Sequence, residues 1–208
     1  FVRTKGILEN IEYFDADFFD FTPKEASITD PQDRILLETA WEALEDAGND
    51  ANRSNGRIGI YAGQSMGDYL FMNLYPQIER YLSPKTLQMA IGNDKDSLTS
   101  KISYKLNLMG PGVTIQSSSS SSLVSIAMAC QNLLCYESDM ALAGGVCIGV
   151  PQKYGYMYEK GGIISKDGHC RTFDNNSDGF VISSGAGIVV IKRLADAIAD
   201  RDHIYCVI

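Results

Sequence analysis

Hydrophobic positions repeat with a helical period in four places along the chain and gather into short β-branched runs between them. Asp30 can cap a helix, Pro31 fits its first turn, and Leu37, Trp41 and Leu44 return on one face until Gly48 stops it. Asn49 to Gly56 is turn chemistry, and Arg57 to Ala62 reads as a buried strand. From Gly63 to Ile91, aromatics, proline and methionine mix without a period, which predicts loop with a short helix. Asn93 or Asp94 can start a second helix, with Leu98, Ile102 and Leu106 in register and a stop at Met109 to Gly112.

Val113 to Gln116 reads as a short strand that runs into six serines, Ser117 to Ser122, and then into a helical stretch with Leu123, Ile126, Ala127 and Cys130 on one face. A bare serine run signals a flexible linker. Between two apolar flanks it marks a strand-to-helix turn instead. Asp139 to Gly145 supplies the next strand, and a strand, helix, strand unit requires a parallel sheet. Gly162 to Asp178 is a polar connection. Gly179 to Arg193 reads as two extended segments joined at the glycine-rich bend Ser183 to Gly187, Leu194 to Arg201 as a helix, and His203 to Ile208 as a last strand. No fixed-period repeat is present, and the fold class is α/β. A first residue other than methionine and a strand at the last residues predict a segment cut at both ends.

Composition narrows the picture further. With 208 residues, 45% hydrophobic and 21% charged, the expectation is one ordinary globular domain. A net charge of −8, with 18 basic against 26 acidic residues and no basic stripe, argues against a nucleic-acid partner. No apolar run approaches the roughly 20 residues of a membrane span. Five scattered cysteines, an odd number without a Cys-x-x-Cys pair, fit free thiols in a reducing cytoplasm, and two histidines, His169 and His203, are too few for a zinc cage.

The serine turn is the place for chemistry. A side chain there faces unpaired N–H groups and the positive end of a helix dipole, an environment that stabilises an anion and suits acyl transfer. A serine nucleophile also needs a base. The Gly-x-Ser-x-Gly elbow of the hydrolases is missing, and His169 and His203 read as ordinary loop histidines, so on the residues alone a structural turn is the stronger reading. Gly144, Gly145 and Gly149, like Gly185 and Gly187, do not match a dinucleotide fingerprint and fit close packing.

Nearly end to end, however, the sequence resembles the β-ketoacyl synthase family, in particular the ketosynthase domains of modular polyketide synthases. The resemblance rests on Phe14 to Phe19, the long string from Asp30 to Gly48, Ile102 to Tyr104, Gly110 to Thr114, Ser120 to Ser125, Leu142 to Val146, Ser165 to Asp174, Gly185 to Gly187 and Lys192 to Ala197. It implies a thiolase-like layered αβαβα fold of which residues 1–208 are mostly the first half. It also implies a homodimer within a megasynthase and decarboxylative Claisen condensation. The acyl chain would come from the phosphopantetheine arm of an acyl carrier protein, with no cofactor or metal bound directly.

The family pattern places Ser119 at the nucleophilic cysteine, with its own backbone N–H as an oxyanion donor, and Tyr158 at an aromatic position lining the acyl pocket. Serine is effectively un-ionised at neutral pH where cysteine is partly thiolate, so Ser119 implies a domain disabled at its nucleophile. An introduced substitution is one origin, and a naturally non-condensing scaffold or partner subunit is the alternative. Gln116 and Ser184 depart from the family's acidic residues. The Ser184 to Gly187 form with Gly168 to Arg171 is similar to domains of hybrid nonribosomal peptide and polyketide lines or trans-acyltransferase lines. The family's two further histidine motifs, which serve decarboxylation, are not matched by His169 or His203.

Overall fold

The computed structural model describes residues 1–49, 56–77 and 83–208, so the turn predicted at Asn49 to Gly56 lies mostly outside the described residues. Strands β1 (Ile58–Gln64), β2 (Gly112–Thr114), β3 (Met140–Cys147) and β4 (Gly185–Lys192) form one sheet in the order β2-β1-β3-β4. β1 runs parallel to both β2, with Ile60 opposite Gly112, and β3, with Ile58 opposite Met140 and Gln64 opposite Val146. β4 returns antiparallel, Met140 facing Lys192. All seven residues of β1 are buried, as expected of a central parallel strand covered on both faces.

The α-helices among the described residues are α1 (Pro23–Ile28), α2 (Pro31–Asp46), α3 (Pro84–Asn93), α4 (Leu98–Lys105), α5 (Ser121–Leu134) and α6 (Leu194–Asp200), joined by shorter 3-10 and π turns. One face of the sheet, with Ile58, Ile60, Met140 and Leu142, packs with Leu36, Leu37, Ala40 and Leu44 of α2 and Leu98 and Ile102 of α4. The alternate positions Tyr61, Ala141 and Ala143 meet Ala129 and Leu133 of α5 on the other face. Each fully buried leucine or isoleucine contributes about 1.5–3 kcal/mol of burial.

Several expectations are met here, including α2, α4, α5, α6 and the parallel unit β2-α5-β3. The short helix expected between Gly63 and Ile91 is α3, opened by Ser83, whose hydroxyl accepts from the Thr86 N–H at 3.2 Å, with Pro84 in the first turn. Three features differ. α1, unforeseen, starts on a capping box in which Thr22 and Glu25 satisfy each other's N–H groups. Gly185 to Gly187 lies inside β4 rather than in a bend, because it pairs antiparallel with Cys147 to Gly145 of β3, so closely that the Gly187 carbonyl occupies the place where a side chain on residue 144 would stand. Residues 203–208 form no strand, having no ladder partner among the described residues.

A further difference concerns α5. Of the face predicted from Leu123, Ile126, Ala127 and Cys130, Ile126 packs against the sheet-side cluster, whereas Ala127 is exposed and Leu123 is 70% exposed. Ser125, Ala129, Asn132 and Leu133 point inward. Small side chains let the helix approach closely over the glycines of β1 and β3, and that geometric demand overrides simple apolarity.

Candidate active site

The serine turn stands at the carboxyl ends of the three parallel strands. β2 ends at Thr114, Ile115 N–H still donates to the Ala62 carbonyl at 2.9 Å, and the chain then turns through Ser117 into a 3-10 turn, Ser118–Ser120, that runs directly into α5. Ser118 has φ +56°, a left-handed conformation that non-glycine residues adopt rarely.

Hydroxyls knit this turn together. Ser121 Oγ accepts from the Ser117 N–H at 2.9 Å and donates to the Ser118 carbonyl at 2.8 Å. Ser120 Oγ donates to the Ser117 carbonyl at 2.8 Å, so the 2.9 Å contact between Ser117 Oγ and Ser120 Oγ is donated by Ser117. Ser119 stands apart. Its hydroxyl has no hydrogen bond among the described residues, and it is exposed. The first bond of the turn runs from the Ser120 N–H to the Ser117 carbonyl at 3.3 Å, so the Ser119 N–H precedes the ladder. A group at this position sees the N-terminal end of a 14-residue helix together with unpaired backbone donors, the arrangement that stabilises an oxyanion or a thiolate.

The turn rests on two glycines. A Cβ on Gly63 of β1 would meet the Ile115 carbonyl and lie 2.7 Å from Ser121 Cβ, and one on Gly145 of β3 would lie 3.1 Å from the Gly63 carbonyl and 3.6 Å from Ser122 Cβ. The sequence pattern assigns close packing to Gly144 and Gly145 and does not single out Gly63.

Behind the strand ends lies a buried polar cluster from the first turn of α2. Asp30 caps the helix, its Oδ1 accepting from the Gln32 N–H at 2.8 Å. Gln32 Oε1 accepts from Ser65 Oγ at 2.6 Å and from the Ile148 N–H at 3.2 Å. Asp33 pairs with Lys101 of α4 at 2.5 Å. Burial pushes the Asp33 carboxyl up to about 6 even though the Lys101 ammonium pulls the other way, and it raises Asp30 as well. In the sequence Asp30 stands out as a helix cap, whereas Gln32 and Asp33 stand out only as part of the Asp30 to Gly48 string, and polar type alone gives no hint that their side chains face inward.

The remaining expected residues are not joined to Ser119. Tyr158 lies in the irregular segment between β3 and β4, 39% exposed and without a hydrogen bond among the described residues. His169 Nδ1 is 3.1 Å from the Asp167 carbonyl, and His203 packs edge-on against Tyr205 at 4.6 Å. Neither histidine bonds to the serine turn. All five cysteines are free, and no group of three or more His, Cys, Asp or Glu able to hold a metal occurs among the described residues.

This architecture, a mixed sheet between helices with the serine turn at the strand ends, is that of the thiolase-like ketosynthases. The family model for the beta-ketoacyl synthase N-terminal domain matches residues 2–197, and the chain belongs to that family of condensing transferases. Over its whole length it is 44% identical to a phenolphthiocerol/phthiocerol polyketide synthase subunit of Mycobacterium tuberculosis, of which it covers 14%. It is 42% identical to the polyketide synthase PksL of Bacillus subtilis, of which it covers 4%. Among solved structures, ketosynthase twelve of the bacillaene polyketide synthase of Bacillus amyloliquefaciens matches with a TM-score of 0.89 at 31% identity, over 98% of this chain and 35% of that one. The module 6 ketosynthase of the Bacillus subtilis bacillaene synthase, in a cysteine-to-serine mutant form, matches with a TM-score of 0.77 at 41% identity, over 98% of this chain and 33% of that one. The chain thus spans about a third of the solved ketosynthases it matches and a smaller share of the curated relatives.

Proposed function

We propose that residues 1–208 are the N-terminal part of one ketosynthase domain of a modular polyketide synthase, with Ser119 at the nucleophile position. The carrying observation is the Ser119 turn itself, an exposed hydroxyl without a hydrogen-bond partner among the described residues, in the 3-10 turn that leads into α5, with its own N–H ahead of the helical ladder. In a competent protein a cysteine there would accept the acyl chain from the phosphopantetheine arm of an acyl carrier protein. The tetrahedral oxyanion would form against the N–H of residue 119. A carrier-bound malonyl unit would then lose carbon dioxide and attack the acyl thioester. With serine at 119 the hydroxyl is effectively un-ionised at neutral pH where a cysteine is partly thiolate, and the domain is disabled at loading.

Other elements of the reading have separate support. Tyr158 is proposed to line the acyl pocket. The apolar face of α5 around Leu123, left open by the sheet, is a surface on which the rest of the domain or a second protomer of a homodimer packs. A cytoplasmic location is in keeping with five free cysteines. No helix among the described residues is long and apolar enough to cross a membrane.

The test is intact mass of the full protein that carries this chain, as found and as Ser119→Cys, after exposure to an acyl thioester mimic. Gain of the acyl mass by the Ser119→Cys form alone is the expected result. Failure of both forms across a broad acyl set would favour the non-condensing scaffold, and loading of the serine form would favour a serine acyl-enzyme.

A further inference from the structure

Gln32 is fully buried in the first turn of α2, yet its amide oxygen reaches two separate strand exits, Ser65 just beyond β1 and Ile148 just beyond β3. Its amide nitrogen also points to the Met66 carbonyl, at 3.5 Å. Upstream of those exits stand Gly63 and Gly145, the positions on which Ser121 and Ser122 of α5 rest. The 3-10 turn that leads into α5 carries Ser119. A continuous set of contacts therefore runs from Gln32 through the ends of two adjacent strands to the serine turn, with no direct contact between Gln32 and Ser119.

We propose that Gln32 is a positioning residue for position 119: by clamping the exits of β1 and β3 together it fixes the glycine platform that aims the start of α5. The inference rests on the reading of Ser119 as the nucleophile position. A hydrogen bond to a buried side-chain amide holds geometry better than apolar packing does: if the amide goes, the Ile148 N–H loses its acceptor and Ser65 Oγ keeps only a 3.4 Å contact with its neighbour's carbonyl at Met66. Loosening the clamp lets the strand ends separate, and the N–H groups and dipole at the α5 terminus no longer converge on residue 119.

The experiment uses the full protein with Ser119→Cys as reporter background. Alkylation of the introduced thiol by iodoacetamide is followed by peptide-resolved mass spectrometry over a pH series, alongside acyl loading and a thermal melt. Gln32→Met, similar in size but without the acceptor, should move the alkylation profile to higher pH and slow loading about tenfold at neutral pH, since thiolate fraction follows the thiol pKa. Ser65→Ala, which leaves the Gln32 amide oxygen with the Ile148 bond only, should move both in the same direction by less, and it decides the question if Gln32→Met does not fold. A purely structural role would lower the melting temperature and leave the pH profile in place, and that result overturns the proposal. If the reporter thiol never loads but its pH profile still follows Gln32, the positioning role stands and the nucleophile reading falls. If it loads and the profile ignores Gln32, the reverse holds.

Discussion

Two helices start at the same end of the sheet and treat their first turns in opposite ways. α2 opens with Asp30, Gln32, Asp33 and Arg34 all buried, capped by its own aspartate and tied to α4 and to two strand exits. α5 opens with exposed serines, a left-handed residue at Ser118 and no side-chain cap. Burying carboxylates and a guanidinium costs desolvation, which only fixed partners offset. The start of α2 is thus committed to holding the fold, whereas the start of α5 keeps its donors open for chemistry.

The largest effect separating the two should come from their apolar residues. Leu36→Ala, at a fully buried α2 position, should cost about 2–5 kcal/mol in urea unfolding. Leu123→Ala on the open face of α5 should stay within about 0.5 kcal/mol. Equal costs would mean that the α5 face is already covered in the protein measured.

The next effect is electrostatic. Asp33 is raised to about 6 in the folded protein against an ordinary value of 3.8, so the folded state binds its proton more tightly than the unfolded chain does. Such a group favours folding fully only below its unfolded value, and stability declines as pH climbs through the interval up to the folded value. Between about pH 4 and about pH 7, wild type should lose at most about 3 kcal/mol more than Asp33→Asn, read by urea unfolding at each pH. Parallel curves for the two proteins would contradict this.

The smallest contrast lies in the caps. Asp30→Ala removes a cap bond of 2.8 Å and should cost about 1 kcal/mol, while Ser120→Ala, which caps no helical N–H, should cost under about 0.5 kcal/mol in the same thermal or urea assay.

How much of this could be read from residues alone follows the same division. The start and stop of α2, the helical period of α4, the strand at Ile58 and the serine turn were legible because caps, periodicity and apolar flanks are local signals, although α4 begins only at Leu98, after a 3-10 turn at Lys95–Ser97 that Asp94 opens, and ends at Lys105. The inward face of α5 was not, because Gly63 and Gly145 seat Ser121 and Ser122 against the sheet, which turns Ser125 and Ala129 inward and leaves Leu123 exposed, and only the assembled sheet reveals that closeness. Gln32 was hidden for a similar reason. A glutamine in a first helical turn looks solvated until the strand exits it bonds are brought beside it. Position 119 was legible through resemblance to a family motif, whereas its free N–H and unpartnered hydroxyl required the turn itself.

The most direct measurement of the central claim is a cysteine scan of the serine turn, Ser118→Cys, Ser119→Cys and Ser120→Cys made singly in the full protein, each exposed to the same acyl thioester and mapped by peptide mass spectrometry. The account predicts acylation at position 119 alone, where the side chain is free and the α5 donors converge. Equal loading at 118 or 120, or loading confined to the native cysteines, would contradict it.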